Sequence, residues 1–404
     1  MRCLVFTNHF EPEQFRVNDI VAHLTAQGHY VKVITCIPDY PQGRFYKGYS
    51  YFNRRCETVF GAEVVRAAVI PRGGGGAVRL ALNYLSAIIS FFFQSLWQGI
   101  FYRWDMVFVH DTSPAFVCLG ACRVSRMQKI PLYHWLLDIW PESLAAAGIH
   151  NKRLYGIIER MMAKIYATDT RILIGSRGFA GLLRSRGVAE DKLVWLPNWG
   201  DAGLSLSEGE LPPLPDGFIV MFAGNLGRAQ NLENVLEAAK LCSDCRDLHW
   251  VFVGDGRMKP WIEDFVKNNK LEDTVHLPGR FPIQMMSGFF ARADLMLVSL
   301  NDETVFNLTL PAKVQAYMAS SKPIVGFLAG EGAAIIAEAG CGRTVDPGNP
   351  EDLARLVKEL SQAPAQTLAE AGKKGRDYYE RHFTMSRCME ILDRTIFESC
   401  GEII

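Results

Sequence analysis

Between Phe6 and Gly28 the sequence contains no glycine. The stretch "FTNHFEPEQFRVNDIV" directly follows the strand-like run "LVFT", where many α/β proteins place a glycine turn that cradles phosphate. That kind of cradle is excluded here, and Glu11, Pro12, Glu13, Arg16 and Asn18 stand in its place. Charge excess is also missing: 43 basic residues balance 43 acidic ones, which removes any global attraction to nucleic acid. The ten cysteines are scattered, and Cys242 and Cys245 form the single CxxC. It has no second pair at zinc spacing, so no metal site is expected and a reduced cytosolic protein is the reading. The opening "MRCLVFTNHF" has too short an apolar run for a secretory signal and passes straight into a strand.

Charge is absent in one further place. From Leu80 to Tyr102 there is none, with Arg79 and Arg103 at the ends. The length suits a spanning helix. However, Asn83, Ser86, Ser90, Gln94 and Gln98 recur at helical spacing and give the segment a polar side. A span would also separate strands that read as one sheet. Three readings stay open: a helix lying in a membrane interface, a helix covered by its own domain or a partner, and a true span. The first leads, and it predicts a cytoplasmic protein attached peripherally to the inner membrane.

What is present is alternation. At 404 residues the chain suits two domains of roughly 200. "LVFT" (4–7), "YVKVIT" (30–35), "EVVRAAV" (63–69), "MVFVH" (106–110), "PLYHWLL" (131–137), "RILIG" (171–175) and "LVWLP" (193–197) read as strands between helical segments. A Gly-, Pro- and Ser-rich stretch at 201–217 reads as a linker. The pattern restarts with "FIVMFAG" (218–224), "LHWVFVG" (248–254), "TVHLPG" (274–279), "LMLVSL" (295–300), "PIVGFL" (323–328) and "GRTVDP" (342–347). The expected fold is α/β: two doubly wound domains, 1–200 and 218–375, facing across a cleft. Helices at 376–404 are expected to pack back toward the first domain.

The second half carries more chemistry. Gly224 and Gly227 turn "FAGNLGRAQ" after one strand, and "VGDG" (253–256) turns the next. Each alone is an ordinary βα turn. In "NLTLPAKVQAYMASSKPIV", Pro311 suits a helix start. Lys313 then lies in the first turn, where a cation opposes the helix dipole. An anion held by the same amides explains it, while a solvated surface lysine is the plainer alternative.

Together these elements, with "VHLPGRFP" (275–282) and "ADLMLVSL" (293–300), resemble in order and spacing the retaining GT-B glycosyltransferases of family 4. In the first half "PEQFRVND", "GHYVKVIT", "IPDYPQGRFYKGY" and "LDIWPESL" resemble the bacterial surface-polysaccharide branch, of N-acetylfucosamine-transferase type. The resemblance implies transfer of a hexosyl or N-acetylhexosaminyl unit from a nucleotide sugar, most simply a UDP-sugar, with its anomeric configuration retained. The second domain would hold the nucleotide and the first the acceptor. No metal or cofactor is implied, because side-chain cations and a helix start neutralise the leaving diphosphate. It also implies a lipid-linked saccharide as acceptor, in O-antigen- or capsule-type lipopolysaccharide and polysaccharide biosynthesis.

On this basis the nucleotide-side candidates are Gly224, Asn225, Arg228, Gly254, Gly256, Arg280, Thr309, Leu310, Lys313 and Glu331. The acceptor-side and catalytic candidates are Asp138, Glu13 and Arg16. The chain departs from the family pattern in three places. Asn225 and Gln230 replace an Arg and a Lys, so Arg228 is the substitute cation. Leu308 and Ala316 replace a glutamate pair, for which Glu303 or Glu331 are substitutes. Leu137-Asp138 replaces a His-Asp. Asp138 either faces the sugar or caps the helix of "PESLAAAG", and Arg16 and Glu13 either read a sugar or start a helix. His134 reads as a core histidine first and a catalyst second, and His110-Asp111 ends another strand. The competing function is a sugar-nucleotide 2-epimerase of the same architecture. A non-catalytic sugar-binding protein is disfavoured by the cationic helix start.

Overall fold

In the computed structural model of the chain, residues 1–74, 76–146, 149, 151–200 and 211–401 are described. The chain divides into two compact units, Met1–Leu196 with Met389–Ile404, and Pro197–Cys388. Of the expected linker, 201–210 lie outside the described residues.

The first unit is built on β1 (Arg2–Thr7), β2 (Tyr30–Cys36), β3 (Cys56–Val59), β4 (Ala62–Ala67), β5 (Met106–Asp111), β6 (Leu132–Leu136), β7 (Arg171–Ile174) and β8 (Leu193–Trp195). They lie in the order β3-β4-β2-β1-β5-β6-β7-β8, parallel throughout except for β3 against β4. Parallel strands are covered on both faces, which is why Leu4, Val5 and Phe6 are all inaccessible to solvent and the run reads as continuously apolar. Strand order reverses between β1 and β5. Such a switch point opens a crevice at the carboxyl ends of the two strands. The glycine-free turn leaves β1 there, and Asn8 Nδ2 ties it down by donating to the carbonyls of Thr112 (3.1 Å) and Pro114 (2.8 Å).

Helix α1 (Val17–Ala26) follows that turn, α2 (Ala77–Phe101) covers the charge-free segment, and α3 (Val117–Gln128) follows β5. The polar side of α2 faces its own unit. Asn83, Ala87, Phe91, Ser95 and Gln98 form the buried stripe. Asn83 Nδ2 donates to the Ile70 carbonyl at 2.6 Å, the Ser86 hydroxyl accepts from the Ile70 amide at 2.9 Å, and Ser90 donates to the Ala68 carbonyl. Left unpaired in a buried setting, each such backbone group would cost about 1–3 kcal/mol. The apolar side, with Leu82, Leu85, Ile89, Phe92, Phe93, Trp97, Ile100 and Phe101, is the exposed one. The helix is long and apolar enough to cross a membrane.

The second unit holds β9 (Phe218–Ala223), β10 (Leu248–Val253), β11 (Val275–Gly279), β12 (Leu295–Ser299), β13 (Ile324–Phe327) and β14 (Gly342–Val345). Their order is β11-β10-β9-β12-β13-β14, all parallel, with the switch point between β9 and β12. Phe222, Leu236, Trp250, Phe252, Ile262 and Val357 belong to its core. The last helix, Met385–Gly401, carries Asp393 to His23 Nε2 (3.0 Å), and its Ile396 carbonyl accepts from the Tyr133 hydroxyl (3.1 Å).

Candidate functional site

In the second unit the nucleotide-side glycines come together. Gly224 has φ 144° and Gly254 φ 150°, where a side chain is strained. A Cβ on Gly254 would lie 1.9 Å from the Gly224 carbonyl oxygen, and one on Gly224 would lie 2.8 Å from Lys313 Cε. The two turns therefore interlock, and Lys313 runs directly against the first. The Leu226 amide donates to the Asp255 carbonyl and the Met258 amide to that of Leu226, both at 2.9 Å, which fixes Gly256 beside the same turn. The Gly254 amide donates to the Gly279 carbonyl at 2.9 Å, so exposed Arg280 is one residue from this frame.

Lys313 is the second residue of helix Ala312–Ala319, whose N-cap is Pro311. It is half-buried rather than a solvated surface lysine. Its ammonium sits 3.9 Å from the Phe222 ring centroid and donates to the side-chain oxygen of Gln230. No carboxylate among the described residues pairs with it. Desolvation of the ammonium lowers its pKa to about 7. A desolvated cation with a neutral partner at a helix start is built for an anion that arrives from outside.

The other nucleotide-side candidates surround it unevenly. Asn225 and Arg228 are exposed in the turn after β9, and the Arg228 carbonyl accepts from Asn301 Nδ2 at 3.0 Å. Thr309 turns its hydroxyl back to the Val305 carbonyl (2.7 Å), and its amide donates to the Phe306 carbonyl at 3.3 Å. Leu310 is half-buried. Glu331 is buried in the first turn of helix Gly330–Ala339, whose Gly332 packs on Pro311. Phe222 was not singled out from the sequence, and Gln230 was named only as a departure from the family pattern. Gln230 is 83 positions from the lysine it meets.

In the first unit the carboxyl ends of β1, β2 and β5 and the segments after β4 and β6 gather polar groups. Glu13 does not point outward to a sugar. It is buried, its Oε1 accepts from the amides of Asp39 (3.0 Å) and Tyr40 (2.7 Å), and its Oε2 meets His9 Nδ1 at 2.9 Å. Both of its oxygens are thus engaged inside the unit. Arg16 occupies the N-cap position of α1, 3.8 Å from Asp19, and does not pair with Glu13 there. Asp138 is half-buried and accepts from the hydroxyls of Ser113 and Ser143 and from the Ile139 amide. It thus stitches the turn after β6 to the turn after β5. Tyr84 of α2 lies within electrostatic reach of both Asp138 and Arg72. Arg72 reaches His9 Nε2 at 3.1 Å, and its backbone amide donates to Asp39 at 2.8 Å. His9, Asp39 and Arg72 join this polar cluster and were not disclosed by the sequence, because each becomes polar company only through the fold.

His134 belongs to the core network instead. Its Nδ1 meets Asp169 at 2.8 Å and its Nε2 meets Asp111 at 3.1 Å, all three fully buried. Burial opposes charge on the ring, yet Cys118 and the two carboxylates outweigh it and hold the pKa well above the usual value. Asp111, Cys118 and His134 lie close enough to share a metal. His110 behaves oppositely: burial, with His9 nearby, pushes it down to about 3, and its Nδ1 meets the Thr7 hydroxyl at 2.9 Å.

Residues 14–199 match the glycosyl transferase 4-like domain, and residues 217–363 match the glycosyl transferases group 1 family. Both models describe glycosyl transferases, and together they account for most of the chain. The chain is 30% identical over 259 residues to WbjE of Pseudomonas aeruginosa, a probable glycosyltransferase, covering 58% of this chain and 62% of that one. It thus spans less than two thirds of that relative's length. WcaI of Escherichia coli K12, provisionally named a colanic acid biosynthesis glycosyl transferase, is 26% identical over 298 residues, 69% of this chain and 72% of that one. Among solved structures, Anabaena Alr3699/HepE in complex with UDP superposes with a TM-score of 0.67 at 14% identity over the full length of both chains. At that identity the likeness concerns the fold. The α/β, doubly wound GT-B architecture expected from the sequence is the one found.

Proposed function

We propose that the protein is a glycosyltransferase that moves a hexosyl or N-acetylhexosaminyl unit, of N-acetylfucosamine type, from a UDP-sugar to a saccharide carried on polyprenyl diphosphate. The product anomer keeps the donor configuration, and the step belongs to assembly of an O-antigen- or capsule-type surface polysaccharide. The observation that carries this reading is Lys313, desolvated without a carboxylate and laid against Gly224 at a helix start. The UDP held by Anabaena HepE supports the donor, and the name of the Escherichia coli relative supports the pathway.

The roles follow from charge. Lys313, the amides at the start of its helix and Arg228 meet the negative charge that grows on the leaving diphosphate, which needs no metal. Asp138 is assigned to the reacting sugar and Glu331 to the donor side.

The test is a panel of UDP-, GDP- and dTDP-sugars. UDP-sugars are expected to raise the melting temperature, since a ligand at a hundred times its Kd adds about 2.7 kcal/mol. Release of UDP is expected only when a polyprenyl-diphosphate-linked saccharide is added. Interconversion of the donor without acceptor would replace the reading by the epimerase, and no stabilisation by any nucleotide would sink both.

Attachment to the cytoplasmic face of the inner membrane is part of the proposal, since a lipid-borne acceptor must be met at the bilayer surface. The exposed apolar side of α2 supports it. Replacing Ile89, Phe93 and Trp97, which share that side, with Glu is expected to move the protein from the pellet to the supernatant when it is spun with phosphatidylethanolamine–phosphatidylglycerol vesicles. The thermal shift with UDP should stay unchanged. Equal sedimentation of both forms would refute attachment through α2.

A further inference from the structure

We propose that Arg72 and Arg79 hold the diphosphate of the lipid-linked acceptor, at a site built wholly from the first unit. The proposal rests on the transferase reading above and adds to it the place where the charge of the acceptor is met.

A saccharide carried on polyprenyl diphosphate has three parts in fixed order: a polar sugar, an anionic bridge and an apolar chain. The first unit offers matching surfaces in the same order along one stretch. Arg72 follows β4 at the polar crevice, where its Nη2 donates to His9 Nε2 at 3.1 Å and its guanidinium lies 5.6 Å from the Tyr40 ring centroid. Arg79 then stands in the first turn of α2. Leu82, three positions on and so on the same side of the helix, belongs to the exposed apolar side. A sugar in the crevice with its lipid along that side leaves its diphosphate over the segment between the two arginines.

Both arginines carry capacity that the unit itself does not use. Of the Arg72 guanidinium nitrogens, only Nη2 meets an acceptor among the described residues, and Nε is buried without one. The Asp39 carboxylate is 3.8 Å from Nε, beyond hydrogen-bond reach. The side chain is 21% exposed, so a ligand can approach it. A planar fork with unmet N–H groups suits phosphoryl oxygens. Arg79 is exposed, and its Nε donates to the Pro71 carbonyl at 3.1 Å, which folds the side chain back against Gly73. No acidic residue shares its helical turn. A cation there opposes the helix dipole, and an arriving anion offsets that cost.

The backbone that presents them is clamped. The Arg72 amide donates to Asp39 Oδ2 at 2.8 Å and the Gly73 amide to the Gly43 carbonyl at 2.7 Å. A Cβ on Gly43 would lie 1.9 Å from the Gly73 carbonyl oxygen, so the two segments meet with no room for a side chain. Phospholipid headgroups are a second source of lipid-borne phosphoryl anions at the same surface, and the test separates them from the acceptor.

The full-length protein is titrated in a calorimeter with UDP present at saturation, which keeps the anion site at Lys313 filled. Farnesyl diphosphate is the probe, and farnesol, the same chain without phosphate, is its control. Wild type is expected to bind the diphosphate at least about tenfold more tightly than the alcohol. Arg72→Gln is expected to weaken the diphosphate about tenfold to a hundredfold and Arg79→Gln about threefold to tenfold, with farnesol unchanged in both. Arg72→Lys, which keeps the charge but loses the fork, should fall between wild type and Arg72→Gln. All three variants should keep the UDP thermal shift. With the polyprenyl-diphosphate saccharide the loss should appear as a higher KM at unchanged kcat. Farnesyl diphosphate bound no better than farnesol by wild type, or bound equally by wild type and Arg72→Gln, overturns the proposal. Variants that keep their farnesyl diphosphate affinity but stop sedimenting with phosphatidylglycerol vesicles assign the arginines to headgroups and overturn it as well. Failure of wild type to release UDP with acceptor instead overturns the transferase reading, whatever the farnesyl diphosphate result, so the two failures are distinct.

Discussion

Lys313→Met is expected to weaken UDP binding tenfold to a hundredfold, while the ligand-free variant melts above wild type at pH 6. The first effect is the loss of a charge-assisted bond to phosphate, worth about 1.5–3 kcal/mol. The second follows from linkage. The folded pKa is lowered from 10.5 to about 7, so between those values the unfolded chain binds more protons than the folded one. Wild-type stability therefore rises with pH across that window, and the full cost of the desolvated charge is present below pH 7. Methionine carries no charge, so its advantage in melting temperature should be largest below pH 7 and shrink toward pH 10. UDP affinity in wild type should also fall above pH 7, where the empty site loses its proton, and stay flat in the variant. Calorimetric titration with UDP at pH 6 and 9, beside melting curves at the same pH values, checks all of this. A variant that binds UDP like wild type removes Lys313 from the site.

The second large effect concerns the core of the first unit. Asp169→Asn leaves the His134 imidazolium with one carboxylate and is expected to cost about 3–5 kcal/mol, because breaking a buried pair strands the remaining charge. The readout is the urea midpoint followed by tryptophan fluorescence, and Trp135 lies in the same strand as His134. UDP affinity measured well below that midpoint should match wild type, since Lys313 and its glycines belong to the other unit. A midpoint within experimental error of wild type would show that the Asp–His–Asp network is not held as charges.

The two architectures could be read from the sequence because parallel strands are buried on both faces. Runs such as "FIVMFA" and "LHWVFV" announce themselves. What escaped reading is what breaks that rule. β3, "CETV", is an antiparallel edge strand with alternating exposure, too short and polar to stand out. Lys32 sits in the middle of β2 at 2% exposure, paired with Glu63 at 2.9 Å and lying over the Tyr102 ring. Lys313 could be recognised as special because a cation in a first helical turn contradicts the dipole. Its partner Gln230 could not, because the contact is made by the fold. Glu13 was conspicuous as an acid where glycine is customary, but its inward direction depends on amides at Asp39 and Tyr40. In α2 the period of the polar residues was plain, and the side they faced was not. A series of Asn, Ser and Gln at helical spacing looks the same whether it meets water or the carbonyls of Ala68 and Ile70.

That last feature bears on how the chain is made. A translating ribosome releases Ala68–Ile70 before α2, and Gly120 and Arg123 of α3, which pack against Phe91 and Phe92, only afterwards. The polar handholds are thus in place when a segment apolar enough to attract the insertion machinery emerges.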